Sequence, residues 1–164
     1  MKRFLAAAPL AALLALANAA AHDQVKRNKI PGSNFPIAES VEVTADTGLV
    51  FVSGAVPSPI VEDGDPEAIA TYGDTEAQTR SVLAAIEARL QRIGLGMGDV
   101  VMMRAYLVAD PELGRMDFPG FMRGYVEHFG TEAQPNLPAR SAIEIAGLAR
   151  NGWLVEIEVV AARQ

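Results

Sequence analysis

Val41, Val43 and Ala45 alternate with polar Glu42 and Thr44, and after the turn residues Asp46-Thr47-Gly48 a run of β-formers extends from Leu49 to Ser53. A period of two marks strands, and the short turn between them predicts a hairpin. The period then changes. Val82, Leu83, Ile86, Leu90 and Ile93 recur at helical spacing and predict a helix over about 75–93, opened by Thr75 with Gln78 as a capping box and closed by Gly94. Arg80, Glu87, Arg89 and Arg92 fall to its solvated side. The apolar run from Val100 to Val108 suits a central strand ended by Asp110-Pro111. Phe118, Phe121, Met122, Tyr125 and Phe129 predict a second helix over 117–129 whose aromatic stripe belongs to the core. Two last strands are expected at 139–147 and 153–162, with Asn151-Gly152 marking the turn between them.

Residues 22–40 carry the turn signals Pro31-Gly32, Asn34 and Pro36 and read as an irregular lead-in. Residues 54–74 hold Pro57, Pro59, Gly64, Pro66 and the clustered acids Glu62, Asp63, Asp65 and Glu67, a long loop that either borders a site or decorates the surface. The order is strand, strand, helix, strand, helix, strand, strand. Both helices can cover one face of a single mixed sheet, so the fold class is a two-layer α+β domain spanning 22–164.

The first 21 residues stand apart. Lys2 and Arg3 precede an apolar stretch from Phe4 to Ala17, and small residues lead to polar His22-Asp23-Gln24, the layout of a secretory signal peptide cleaved after Ala19 or Ala21, of which Ala21 is favoured. Its 14 apolar residues fall short of the roughly 20 that span a hydrocarbon core, so the mature protein is expected to be exported, periplasmic and free of a membrane anchor. Removing Lys2 and Arg3 leaves 12 basic against 20 acidic side chains and moves the formal charge from −6 to −8. A balance this acidic repels phosphate backbones and argues against nucleic acid as a partner. There is no cysteine, which removes disulfides and thiolate chemistry; His22 and His128 match no ligand spacing, so neither a metal nor a cofactor is expected.

Candidate chemistry gathers near the C-terminus. Alternation places Arg140, Ala142, Glu144 and Ala146 on one face of their strand and Ser141, Ile143 and Ile145 on the other; Glu156 and Glu158 share a face with Leu154 and Val160. With the apolar face under the helices, Arg140, Glu144, Glu156 and Glu158 should together occupy the open face. Two readings fit such a face: a solvated surface, or a subunit interface with clefts, favoured by the interleaved Ala142, Ala146, Leu154 and Val160. Arginine is suited to a carboxylate because its fork offers two parallel charge-assisted hydrogen bonds, and a nearby carboxylate can orient or activate water. Phosphate-cradling and dinucleotide-binding glycine motifs are absent, and Ser141, expected to point to the core, has no neighbouring base.

Six motifs in order carry a resemblance: Val52-Ser53-Gly54 with Pro57; Asp74-Thr75-Glu76-Ala77-Gln78-Thr79; Gly94-Leu95 followed by Gly98-Asp99-Val100-Val101; the helix from Phe118 to Phe129; Pro138-Ala139-Arg140-Ser141; and Val155-Glu156-Ile157-Glu158. From about Phe35 to Arg163 the chain resembles the RidA, or YjgF, family of deaminases, which hydrolyse reactive enamines and imines derived from amino acids. The resemblance implies a chorismate-mutase-like fold assembled as a homotrimer with clefts between subunits. It gives Arg140 the role of gripping the carboxylate of an imino or enamino acid substrate and Glu156 that of holding the hydrolytic water. The resemblance also implies that Gly54 and the main chain at Ala142 border the pocket. Three positions depart from the family pattern: Ile37 replaces a tyrosine after Pro36, Ala142 replaces a cysteine, and Met122 replaces an asparagine, which makes a less polar pocket. The competing expectation is a non-catalytic trimer of the same family that binds a small carboxylate or acts as a chaperone.

Overall fold

The computed structural model describes residues 24–163; the expected signal peptide and His22 lie outside them. Six strands form one mixed sheet: β1 Val25–Lys29, β2 Ala38–Val43, β3 Gly48–Ala55, β4 Val100–Val108, β5 Ala139–Ile145 and β6 Val155–Arg163, in the order β1-β2-β5-β4-β6-β3. Helices α1, Thr75–Gln91, and α2, Phe118–Tyr125, pack together against it. Their inner faces meet Met103, Ala105, Leu107, Val155, Ile157 and Val159 in one core. The two-layer α+β expectation holds.

Helix α1 buries Val82, Leu83, Ile86 and Leu90 as the period demands, whereas Ile93 is exposed beyond its end. Gly94, at φ +75°, adopts the left-handed conformation that follows a helix C-terminus at low cost to glycine. The start differs from expectation. Asp74 is the cap, accepting the Ala77 N–H at 2.8 Å. Gln78 is fully buried and serves the core instead: its Nε2 donates to the Gly73 and Gly152 carbonyls at 2.9 and 3.0 Å, and its Oε1 accepts the Leu154 N–H at 2.7 Å. This amide therefore fixes the chain entering β6. Helix α2 is capped by Asp117, which accepts the Gly120 N–H at 2.9 Å. It stops at Tyr125 rather than 129, and beyond it the Tyr125 carbonyl is shared between the His128 N–H at 3.1 Å and the Phe129 N–H at 3.2 Å in a closing turn. The aromatic register continues regardless, with Phe129 stacked on Tyr125 at 4.9 Å.

Three strand expectations are corrected. β2 and β3 do not form a hairpin: β2 pairs antiparallel with β1, a strand inside the segment read as a lead-in, and β3 pairs antiparallel with β6. Val25, Val41 and Val43 build a small second cluster with Val101, Val160 and Ala162, and that burial makes Val25–Lys29 a strand. The last two strands, β5 and β6, are not neighbours either. β4 lies between them, parallel to β5 and antiparallel to β6. Along β2 and β5 a single register pair, Ala38 with Ala139, joins the two halves of the sheet.

Candidate functional site

Register decides which way each charged side chain points. Arg140 is aligned with Met103, Ala142 with Ala105 and Glu144 with Leu107, and those three β4 residues are fully buried under the helices. Neighbours in register share a face. Arg140 and Glu144 therefore lie on the helix face, opposite to expectation. Glu156 and Glu158 align with Tyr106 and Arg104 on the open face, where Ser141, aligned with Arg104, also points. Within one chain the structure does not bring Arg140 and Glu156 together.

Aromatic rings explain how a cation comes to face inward. The Arg140 guanidinium carbon lies 4.2 Å from the Tyr125 ring centroid, 5.0 Å from Phe121, 5.6 Å from Phe35 and 5.9 Å from Phe118. Ring faces carry negative potential and attract a cation inside this distance. The box does not supply a full set of hydrogen bonds, since Nη1 is buried without a partner. Burial pulls the Arg140 pKa below the usual arginine value, with Tyr125 opposing. Burial also pushes the Tyr125 hydroxyl up to about 12, against the pull of Arg140; this hydroxyl donates to the Pro36 carbonyl at 2.9 Å. Pro36 leads directly to Ile37. Ile37 lines a hollow of about 420 Å³ beside Arg140, with apolar Ile30, Met102 and Ala139 and polar Glu39 and Ser141. Ala142 packs half-buried against the core, and the Glu144 carboxylate accepts the Met116 N–H at 2.6 Å.

On the open face the two glutamates differ. Glu158 receives Arg104 Nη1 at 2.6 Å and the Tyr106 hydroxyl at 3.1 Å. The Arg104 hydrogen bond, foremost, holds its carboxyl below the usual range. Among the described residues the Glu156 carboxylate has no hydrogen-bond partner. Its carboxylate lies over Gly54: a Cβ built there would come within 1.9 Å of Oε1. Gly54 and Glu156, expected to border one pocket, are thus in direct contact. The contact occurs at a bulge, where β3 advances from Val52 to Ala55 while β6 runs only from Val159 to Ile157. Sequence reasoning missed Phe35, Tyr106 and Arg104. For the last two the signal was present, since alternation along Val100–Val108 puts both on one face.

Residues 32–163 match the family model described as Endoribonuclease L-PSP. The chain is 32% identical over 130 residues to 3-aminoacrylate deaminase RutC of Acinetobacter baylyi, covering 79% of this chain and 91% of that protein. It is 31% identical over 134 residues to the 2-iminobutanoate/2-iminopropanoate deaminase of Salmonella typhimurium, covering 82% and 92%. Among solved structures, a Rid-family protein of unknown function from Yersinia pestis superimposes with a TM-score of 0.64 at 22% identity, over 85% of this chain and 99% of that one. A YjgF/YER057c/UK114-family protein from Mycobacterium tuberculosis gives 0.52 at 28% identity, over 85% and 99%.

Proposed function

The chain belongs to the RidA/YjgF family, and we propose that it is a hydrolytic deaminase of reactive 2-imino and enamine acids, releasing 2-oxo acids and ammonia. The observation that carries this reading is Arg140: a half-buried cation boxed by rings on one side, with one nitrogen unpartnered and a hollow beside it, is disposed to receive an anion. The substrate carboxylate fills that role. An enamine first tautomerises to the imine. Water held by Glu156 then adds its oxygen to C2 and passes a proton to nitrogen through the carboxylate. The hydroxyl of the resulting carbinolamine then gives its proton to nitrogen through the same carboxylate as the C–N bond breaks, releasing ammonia and leaving the 2-oxo acid. Imines are electrophilic enough for positioning and one proton relay to suffice.

Because Arg140 and Glu156 face opposite sides of one sheet, the working cleft is assigned to the contact between copies, with Arg140 from one chain and Gly54 and Glu156 from the next. The open face supports this, leaving Phe51 77% exposed beside Arg104 and Glu158 and Ile143 44% exposed in register with Tyr106. A homotrimer is the assembly proposed, exported and beginning at His22. Exported protein should sediment at three times the chain mass at micromolar concentration and return His22 on N-terminal sequencing; a stable monomer sinks the shared cleft, and Met1 sinks the export reading. The acidic charge, −6 for the full chain, disfavours RNA as substrate whatever the family model's description.

The decisive assay is ammonia release from imino acids generated in place by an amino-acid oxidase, above the spontaneous rate. Glu156→Gln keeps the shape and removes the base. Its turnover should fall about a hundredfold, the low end for a lost acid–base group, while affinity for a 2-oxo acid stays within about twofold. Parent-like turnover in the glutamine variant rules out the water-holding role.

A further inference from the structure

We infer that Arg89, on the last turn of α1, is a positioning residue for the Glu156 water site; this rests on the role proposed for Glu156 above. At the β3 bulge the ladder to β6 skips, so the carbonyls of Ser53 and Gly54 need donors from elsewhere. Arg89 supplies them: its Nη1 donates to the Ser53 carbonyl at 2.9 Å and to the Gly54 carbonyl at 3.2 Å. The same peptide segment is the floor on which the Glu156 carboxylate lies, so close that no side chain fits at Gly54. A guanidinium fixed to a helix thus sets the height and tilt of the bulge, and the bulge sets where the carboxylate can stand. Arg89 is half-buried and does not line the hollow beside Arg140. Its influence on chemistry runs entirely through Gly54. The helix tolerates the change, because arginine, methionine and lysine have similar helix propensities.

Arg89→Met removes both donors while keeping length. Turnover is expected to fall about tenfold, with KM within about twofold, because a displaced water-holder harms the reaction step and leaves carboxylate capture by Arg140 intact. Arg89→Lys, which retains a charged donor, should recover part of the loss. Amide hydrogen exchange of the intact assembly gives an activity-independent measure: Gly54 and Ala55 should exchange about tenfold faster in Arg89→Met, while β4 is unchanged. Parent-like kcat, or equal damage to kcat and KM with faster exchange throughout the sheet, overturns the assignment. If the parent shows no deaminase activity, the proposed function fails, and the exchange experiment alone decides: unchanged protection at Gly54 and Ala55 refutes the pin.

Discussion

Arg140→Met is expected to yield a folded assembly that melts no lower than the parent and has lost most of its deaminase activity. The two halves of this result have different origins. Complete desolvation of an ion costs several kcal/mol; Arg140, half-buried, meets part of that penalty and offsets it with four ring contacts of about 0.5–2 kcal/mol each, so its charge contributes little net stability. Its Nη1 remains unpaired. Methionine fills a similar volume among Phe35, Phe118, Phe121 and Tyr125 with favourable sulfur–ring contacts and no charge to desolvate. Activity moves the other way. A charge-assisted contact to a carboxylate contributes about 1.5–3 kcal/mol, or roughly ten- to a hundredfold in binding. A loosely held imine reacts more slowly still. Arg140→Lys should restore only part, because an ammonium keeps the charge without the two-pronged geometry. Thermal melting read beside ammonia release checks both halves. A methionine variant that turns over at the parent rate removes Arg140 from the chemistry, and one that melts well below the parent shows that the guanidinium supports the fold.

The largest expected loss of stability comes from Gln78→Leu. Leucine matches the apolar surroundings, yet it strands the carbonyls of Gly73 and Gly152 and the N–H of Leu154, all served by one buried amide. Each orphaned buried group costs about 1–3 kcal/mol, and leucine burial offsets part, which leaves a loss of about 3–5 kcal/mol. For a domain of this size that is about 10 °C in Tm. Denaturant unfolding at fixed protein concentration, with the oligomeric state matched, measures it. A loss under about 1 kcal/mol means that the backbone finds other partners there.

Much of this fold can be read from the chain, and the parts that cannot share a cause. Both helices are legible because their periods, the Gly94 stop and the Phe118–Phe129 stripe are local signals, although the start of α1 is set by Asp74 and not by the Thr75–Gln78 pair. Strand order is not local. Asp46-Thr47-Gly48 looks like a hairpin turn, but β2 and β3 part there because each finds more burial with a distant partner. Strand β1 escapes notice because Val-Lys-Arg-Asn-Lys offers Val25 alone to the inside. At the site, residue types were informative where orientation was not. Hydropathy sends arginine outward and Ile143 inward; the rings of α2 reverse the first, and the open sheet face reverses the second. Gly54 and Glu156 are a different case, distant in sequence but joined by the β3–β6 ladder.

The single Ala38–Ala139 pair has one more consequence. By place in the sheet β5 is an interior strand; by bonding, beyond Ala139, it has a partner only on its β4 side. Unpaired peptide groups along a strand are a template on which another extended chain can grow, and proteins guard such borders against runaway aggregation. Here the guard is Glu144, a charged, exposed residue near the end of β5 whose carboxylate is tied to the Met116 N–H. The opening that exposes this border also leaves room beside Arg140, so the protein accepts an aggregation hazard in the strand that carries its anion-receiving cation.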